Sequence, residues 1–304
     1  MGALDGRVAV ITGAGRGLGR EHALLFAREG ARVVVNDLGG SADGTGADAG
    51  PAHDVVEEIK AFGGEAVAHT QSVSTWEGGR SVIQTALDAF GDLHVLVNNA
   101  GILRDRMLTN MSEEEWDAVV NVHLKGHFVP TRFAAEYWRG QAKAGSPVQA
   151  SIVGTSSTSG LFGNAGQTNY GAAKTGIATF MIICQMELGR YGVRCNAIAP
   201  AAMTRLIQTI PGVENRERPR EGEFDPRDPG NVSPFVAYLA TADCPIQGKV
   251  FYVAGGNVAL FQPFSIVDRI SKDGRWTVAE LQEQAARFAD VEFDLGRDVM
   301  RSGL

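Results

Sequence analysis

Tyr170 and Lys174 stand four residues apart in the run Tyr170-Gly-Ala-Ala-Lys174. On a helix, residues at i and i+4 share one face. An ammonium beside a phenol favours the phenolate, so the spacing predicts a tyrosine of lowered proton affinity. Moving a phenol from about 10 towards neutrality takes roughly 4 kcal/mol, at about 1.36 kcal/mol per unit. One cation in a medium of effective dielectric about 20 supplies energy of that order. The product would be a proton-transfer group poised near working pH. The same spacing also occurs as plain surface decoration, so the pair gains meaning only from its surroundings. Residues 172–188 are largely apolar and read as a buried helix that would hold the pair rigidly. Ahead of it, Thr155-Ser-Ser-Thr-Ser159 follows a strand signal over residues 149–154. Ligands of open α/β sheets bind at the carboxyl ends of strands, which makes Ser157 a third candidate.

These residues need a scaffold, and the N-terminal third supplies its signature. Residues 7–12 are a β-branched strand signal, followed at once by Thr12-Gly-Ala-Gly-Arg-Gly-Leu-Gly19. A helical pattern over residues 20–29 ends at Gly30, and residues 32–37 read as a second strand ending in Asp37. Strand, glycine-rich turn, helix, strand and acid form the dinucleotide-binding arrangement. The glycines let the backbone approach a pyrophosphate, and the helix N-terminus offers free N–H groups and a positive dipole end. Asp37 would accept hydrogen bonds from the adenosine ribose. A 2′-phosphate there would meet a like charge, at a cost of about 4 kcal/mol for 4 Å and dielectric about 20. Asp37 thus argues for NAD over NADP; Arg16, whose guanidinium could reach a 2′-phosphate, argues the other way. A loop cap is the plainer reading of Asp37.

Further strands are predicted at 65–69, 93–97, 194–199 and 249–254, and helices at 52–62, 76–90 and 232–241. Residues 38–53 form an unusually long strand-to-helix loop. Ser112 and Glu115 make a capping box that starts a long helix running through Trp116, Val120 and Leu124. Asn121 lies inside it; a mid-helix asparagine commonly faces solvent but can also perturb the helix and hold a water. Residues 205–230 read as a polar, lid-like segment. The last stretch is a tail with one amphipathic helix at 277–288.

Composition sets limits. The chain has 304 residues, enough for one large α/β domain. Its net charge of -7 disfavours non-specific nucleic-acid binding. No apolar run approaches a membrane span, and no secretory signal is read at the N-terminus, so a cytoplasmic location is expected. Cys184, Cys195 and Cys244 form no C-x-x-C pair and are expected as buried reduced thiols. The six histidines show no metal-ligand pattern. His123 and His127 could in principle pair on a metal at i and i+4, but satisfied or exposed helix histidines are the simpler reading, and no metal is expected.

Together these pieces resemble the short-chain dehydrogenase/reductase family over residues 5–257. The matching motifs are Thr12-Gly13-x-x-x-Gly17-x-Gly19, Asn98-Asn99-Ala100-Gly101, Asn121, Ser157 and Tyr170-x-x-x-Lys174. Within the family, Asn36-Asp-Leu-Gly-Gly40 with its long loop, Gln71-Ser-Val73, Val122-His-Leu-Lys-Gly126 and Gly163-Asn-Ala-Gly-Gln167 resemble one branch. That branch is the (3R)-hydroxyacyl-CoA dehydrogenase domain of multifunctional β-oxidation enzymes and its bacterial stand-alone relatives, some of which act on steroid-derived CoA esters. The resemblance implies a doubly wound Rossmann fold with a seven-stranded parallel sheet in residues 1–262 and a C-terminal extension in 263–304. It implies Tyr170 as catalytic acid/base, Lys174 as its pKa-lowering partner on the nicotinamide ribose, and Ser157 on the substrate oxygen. Asn121 would hold a relay water behind Lys174. Gly13, Arg16, Gly17, Leu18 and Gly19 would line the pyrophosphate and Asp37 the ribose. Ser72 and Val73 would flank the adenine, Asn99 the cofactor ribose and Thr204 the carboxamide side, with Ala100, Gly101 and Pro200 also binding the cofactor. Two departures from the family pattern stand out. The segment Pro200-Ala-Ala-Met-Thr204 is one residue short, and Ala254 replaces an Asp often found before Gly255-Gly256.

The implied reaction is hydride transfer between NAD and a secondary alcohol, with a 3-hydroxyacyl-CoA thioester as the leading substrate and a homotetramer as the expected assembly. An NADPH-dependent 3-oxoacyl thioester reductase or a free hydroxysteroid dehydrogenase is the alternative. A dinucleotide-binding protein without turnover is a third reading, opposed by the intact Ser157, Tyr170 and Lys174.

Overall fold

Short runs of valine, isoleucine and alanine become buried strands here because both faces of the sheet are covered. The computed structural model describes residues 2–203, 223–262 and 264–292. The strands are β1 (Val8–Thr12), β2 (Arg32–Asn36), β3 (Glu65–His69), β4 (Val95–Asn98), β5 (Ala150–Thr155), β6 (Val193–Pro200), β7 (Val250–Ala254) and β8 (Asn257–Leu260). They form one sheet in the order β3-β2-β1-β4-β5-β6-β7-β8. β1 to β7 are parallel. The eighth strand is one more than the expected seven and runs antiparallel to β7, with Ala254 opposite Asn257. A two-residue Gly255-Gly256 turn closes this hairpin, and Gly255 has a φ of 52°. Four residues at an exposed edge carry too little pattern to announce a strand.

Alternation along the strands divides the core. Ala9, Ile11, Val33, Val35, Val95 and Val97 face one layer, where α1 (Gly17–Arg28), α2 (Gly50–Ala61) and a later helix, Ser233–Ala240, pack. Val8, Val10, Val34, Leu96 and Ile152 face the other, which holds α3 (Trp76–Phe90), α5 (Gly126–Lys143) and α7 (Thr168–Leu188). Ahead of α5 lies α4 (Glu113–Val120), and ahead of α7 lies α6 (Thr158–Phe162). Ser233–Ala240 is α8, and α9 (Val278–Gln284) lies in the tail. After β3 the chain returns past β1 to build β4, so a crevice opens at the carboxyl ends of β1 and β4, where the strand order reverses.

The expected continuous helix from Ser112 is interrupted. The capping box of Ser112 and Glu115 forms, but residues Asn121–Lys125 make a π-helical turn between α4 and α5. One wider turn shifts the phase of the helix face. The inward positions become Val119, His123 and His127, in place of the stripe Trp116, Val120 and Leu124. In the tail, α9 is shorter than the predicted 277–288 helix; Thr277 caps it, and a 3₁₀ turn, Ala286–Asp290, follows. The three cysteines are free and buried.

His22 ties the first helix to the last one of the core. It is fully buried on α1, and its Nδ1 lies 2.7 Å from Ser233 Oγ at the start of α8. Burial pushes its pKa down to about 3. The unfolded chain therefore binds a proton below about 6.5 that the native protein refuses until about 3. Stability contributed by the neutral form is lost as pH falls through that window. In urea titrations between pH 7 and 4, His22→Asn should flatten the stability slope by about 1.4 kcal/mol per pH unit relative to wild type.

Candidate active site

The carboxyl edge of the sheet gathers the sequence-predicted residues. Gly13 and Arg16 lie in the turn between β1 and α1, and Gly17, Leu18 and Gly19 in the first turn of α1; Asp37 follows β2, Ser72 and Val73 follow β3, and Asn99, Ala100 and Gly101 follow β4. Ser157 follows β5, Tyr170 and Lys174 lie on α7, and Pro200 ends β6. Thr204 and most of the 205–230 segment lie outside the described residues. Of that segment, Arg227 is ion-paired with Asp225, and its carbonyl accepts from the Met203 amide.

Thr12 knits the two turns at the crevice together. Its hydroxyl accepts the backbone N–H groups of Asn99 at 2.9 Å and Ala100 at 3.1 Å. The Asn99 amide in return donates to the carbonyls of Thr12 and Gly13. Glycine is obligatory at position 19 because a Cβ there would lie 2.1 Å from the Gly13 oxygen. These contacts leave a bare backbone cradle at the N-terminus of α1, the surface a pyrophosphate fits. Asp37 sits at its rim, accepting from the Gly15 amide at 2.8 Å and the Gly39 amide at 2.6 Å. Arg16 turns onto the loop after β2, donating to the Gly40 carbonyl at 3.2 Å. The cradle, the rim carboxylate and the buried lysine together suit a nicotinamide dinucleotide.

On the other side of the crevice, α7 carries the pair. Asn169, buried, anchors the first turn. Its side-chain amide donates to the carbonyls of Arg104 and Glu115, and its oxygen accepts the Tyr170 amide at 2.7 Å. Lys174 is buried, and its Nζ donates to the Thr155 carbonyl at 2.6 Å while standing 5.4 Å from the centre of the Tyr170 ring. The Thr155 amide donates to His127 Nε2, so both backbone groups of this β5 residue are used by side chains. Ser157 caps α6, accepting from the Ser159 amide, and its side chain lies beside the Tyr170 phenol.

The electrostatics correct one expectation. The i, i+4 spacing predicts a lowered phenol, but burial pushes Tyr170 up to about 12, with the Ser157 hydrogen bond opposing and the Asp105 charge adding. Burial brings Lys174 down to about 7. Both shifts have one cause: removal from water penalises each charged form more than its partner repays.

Asn121 opens the π-helical turn. It is exposed, and its side-chain amide donates to Ser74 Oγ at 3.3 Å. The π-helical turn swings it outward and brings His123 inward, edge-on to Tyr170 with ring centres 5.0 Å apart. Sequence reasoning missed Thr12, Asn169 and His123 as site builders. The signal for His123 was its i, i+4 relation to His127, weighed only as a metal pair. Among the described residues, no cluster of His, Cys, Asp and Glu could hold a metal.

The short chain dehydrogenase family model matches residues 7–209. The chain belongs to that family. It is therefore an oxidoreductase acting on CH–OH groups, and the family implies a nicotinamide cofactor. Hydroxyacyl-CoA dehydrogenase ChsB1 of Mycobacterium tuberculosis is 45% identical over 290 residues, covering 91% of this chain and 87% of that protein. Peroxisomal multifunctional enzyme type 2 of Drosophila melanogaster is 47% identical over 253 residues, which cover 83% of this chain but 39% of that longer protein. The crystal structure of a short chain dehydrogenase from Mycobacterium avium superposes with a TM-score of 0.86 at 50% identity, covering 97% of this chain and 98% of that one.

The depressed Lys174 gives a stability signature. Between about 7 and 10.5 the unfolded chain holds a proton on this side chain that the native protein does not, so native stability rises with pH there. Lys174→Met should remove this rise. Subtracting its unfolding free energy from that of wild type at pH 7 and pH 9.5 should give a difference that grows with pH by a few kcal/mol, at about 1.36 kcal/mol per unit.

Proposed function

We propose that this dehydrogenase uses NAD to interconvert a 3-hydroxyacyl-CoA thioester and its 3-oxoacyl counterpart. The observation that carries the reading is Tyr170 beside Ser157 and a buried Lys174, across the crevice from a cradle whose rim bears Asp37. Likeness to a hydroxyacyl-CoA dehydrogenase and to multifunctional enzymes supports the acyl thioester. The engagement of Arg16 with Gly40 supports NAD, because the guanidinium is committed to the loop while Asp37 repels a 2′-phosphate.

When bound, the dinucleotide supplies the hydride-accepting ring. The protein holds the alcohol and moves its proton. Ser157 Oγ orients the hydroxyl, and Tyr170 Oη takes its proton during oxidation or gives one during reduction. A neutral phenol is ready to donate. To accept, it needs the phenolate, which a protonated Lys174, its Nζ 5.4 Å from the ring centre, favours. The two groups thus titrate as a pair, and turnover in the oxidative direction rises with pH as the phenol's proton leaves.

A homo-oligomer fits the surface. Trp76, Phe128, Ile183 and Met186 are exposed large apolar side chains on α3, α5 and α7, and Met186 is 79% accessible. Patches of this kind mark association surfaces. The three buried thiols suit a reducing cytoplasmic setting.

Turnover with NAD and NADP, measured on a panel of 3-hydroxyacyl-CoA and hydroxysteroid compounds, tests the reading. The kcat/KM with NAD should exceed that with NADP by about 10²-fold or more, the worth of a charge repulsion of about 4 kcal/mol only partly relieved. Equal or better use of NADP overturns the role given to Asp37, and preference for free steroids overturns the thioester. Tyr170→Phe should lower kcat by at least about 10³-fold while leaving NAD affinity within about threefold.

A further inference from the structure

We propose that His123 is a positioning residue that locks the turn after β4 to the ring of Tyr170, so that the dinucleotide cradle and the phenol keep one fixed relation. The proposal rests on the reading of Tyr170 as the proton-transfer group. The imidazole is 1% accessible. Its Nε2 lies 3.1 Å from the Ile102 amide nitrogen and 2.7 Å from the Ile102 oxygen, so either tautomer bonds the backbone of that turn. The ring packs against Gly101, where a Cβ would come within 2.4 Å of His123 Cε1. It meets Tyr170 at an interplanar angle of 89°.

The connection continues beyond the turn. Asn99 and Ala100, just before Gly101, are bonded to Thr12 and Gly13 of the cradle. On its far side, Ile102 supports the long loop after β2: a Cβ at Gly44 would meet Ile102 Cδ1 at 2.9 Å. The Leu103 amide donates to the Ala42 carbonyl, and Arg104 Nε donates to the Asp43 carbonyl at 2.8 Å. A single run of contacts therefore joins the adenosine-side loop, the cradle, His123 and the phenol. Its tightest link is a planar ring between a glycine and a tyrosine.

The role is geometric. Burial, then the Lys174 charge, holds the imidazole well below its usual range, so it stays neutral while the enzyme works. Its Nδ1 is buried without a partner. A phenylalanine would keep a ring in this place and leave no orphaned ring nitrogen. What the histidine adds is the Nε2 bond to Ile102.

The test compares full-length wild type, His123→Phe and His123→Gln. Phenylalanine keeps the flat ring and loses the bond; glutamine can return an amide group near the Nε2 position. NADH affinity is read by fluorescence titration, and kcat and KM on a 3-hydroxyacyl-CoA. His123→Phe should lower kcat by about tenfold or more with thioester KM within about threefold, since small displacements of reacting groups cost this much. It should also weaken NADH binding by about threefold to tenfold, and His123→Gln should recover both within about threefold of wild type. A His123→Phe enzyme equal to wild type in kcat and NADH affinity overturns the proposal, as does a folded His123→Gln no better than His123→Phe. If His123→Phe does not fold, a folded His123→Gln with both quantities more than tenfold off overturns it. A wild type that turns over no acyl-CoA refutes the function reading instead, and the NADH affinities of the three proteins then decide the role of His123 alone.

Discussion

A lysine ammonium held out of water at the carboxyl end of β5 is the constraint around which the site is built. Lys174 survives burial because its Nζ has the Thr155 carbonyl at 2.6 Å. That carbonyl is available because β5 ends there and its ladder to β6 stops at the Thr155–Ile198 pair. The Thr155 amide is occupied as well, by His127 from α5. Strand end, α5 and α7 are thereby fixed to one another through a single residue. Moving any of them would strand a charge or a polar group in the interior, and such groups are costly to leave unpaired.

The same economy governs the opposite wall. Thr12 ends β1 as a buried strand residue and uses its hydroxyl to gather the turn after β4. Asn36 ends β2, and its amide donates to the carbonyls of His69 and Gln71, which sets the loop carrying Ser72 and Val73. In each case a short polar side chain at a strand terminus satisfies the backbone of the next loop. The loops can then be irregular and still be rigid, which is what a binding edge requires. The reversal of strand order places these termini around one crevice, so the rigidity is concentrated where a dinucleotide would lie.

Burial also explains why the phenol and the ammonium do not behave as their spacing suggests. In water, a lysine four residues from a tyrosine would draw its proton affinity down. Inside the protein, both groups lose solvation before they gain each other, so Tyr170 moves up and Lys174 moves down. The pair is consequently held close to its uncharged form, and the charge needed for chemistry is small and local.

The sequence by itself determined the doubly wound sheet, the order of its elements, the glycine cradle, and the presence of Ser157, Tyr170 and Lys174 at its edge. Those features are written in local patterns: β-branched runs, glycine spacing, caps and an i, i+4 pair. Tertiary structure decided the rest. It turned Asn121 out to Ser74 and His123 in to Tyr170, because one π-helical turn changes a helix's phase; the mid-helix Asn121 hinted at a perturbation, but not at its kind or at which side chains it would exchange. It added β8, because pairing to β7 gives a four-residue segment a partner that its own sequence does not specify. It set the two shifted pKa values, because desolvation depends on what the whole chain packs around a group and not on its neighbours in sequence.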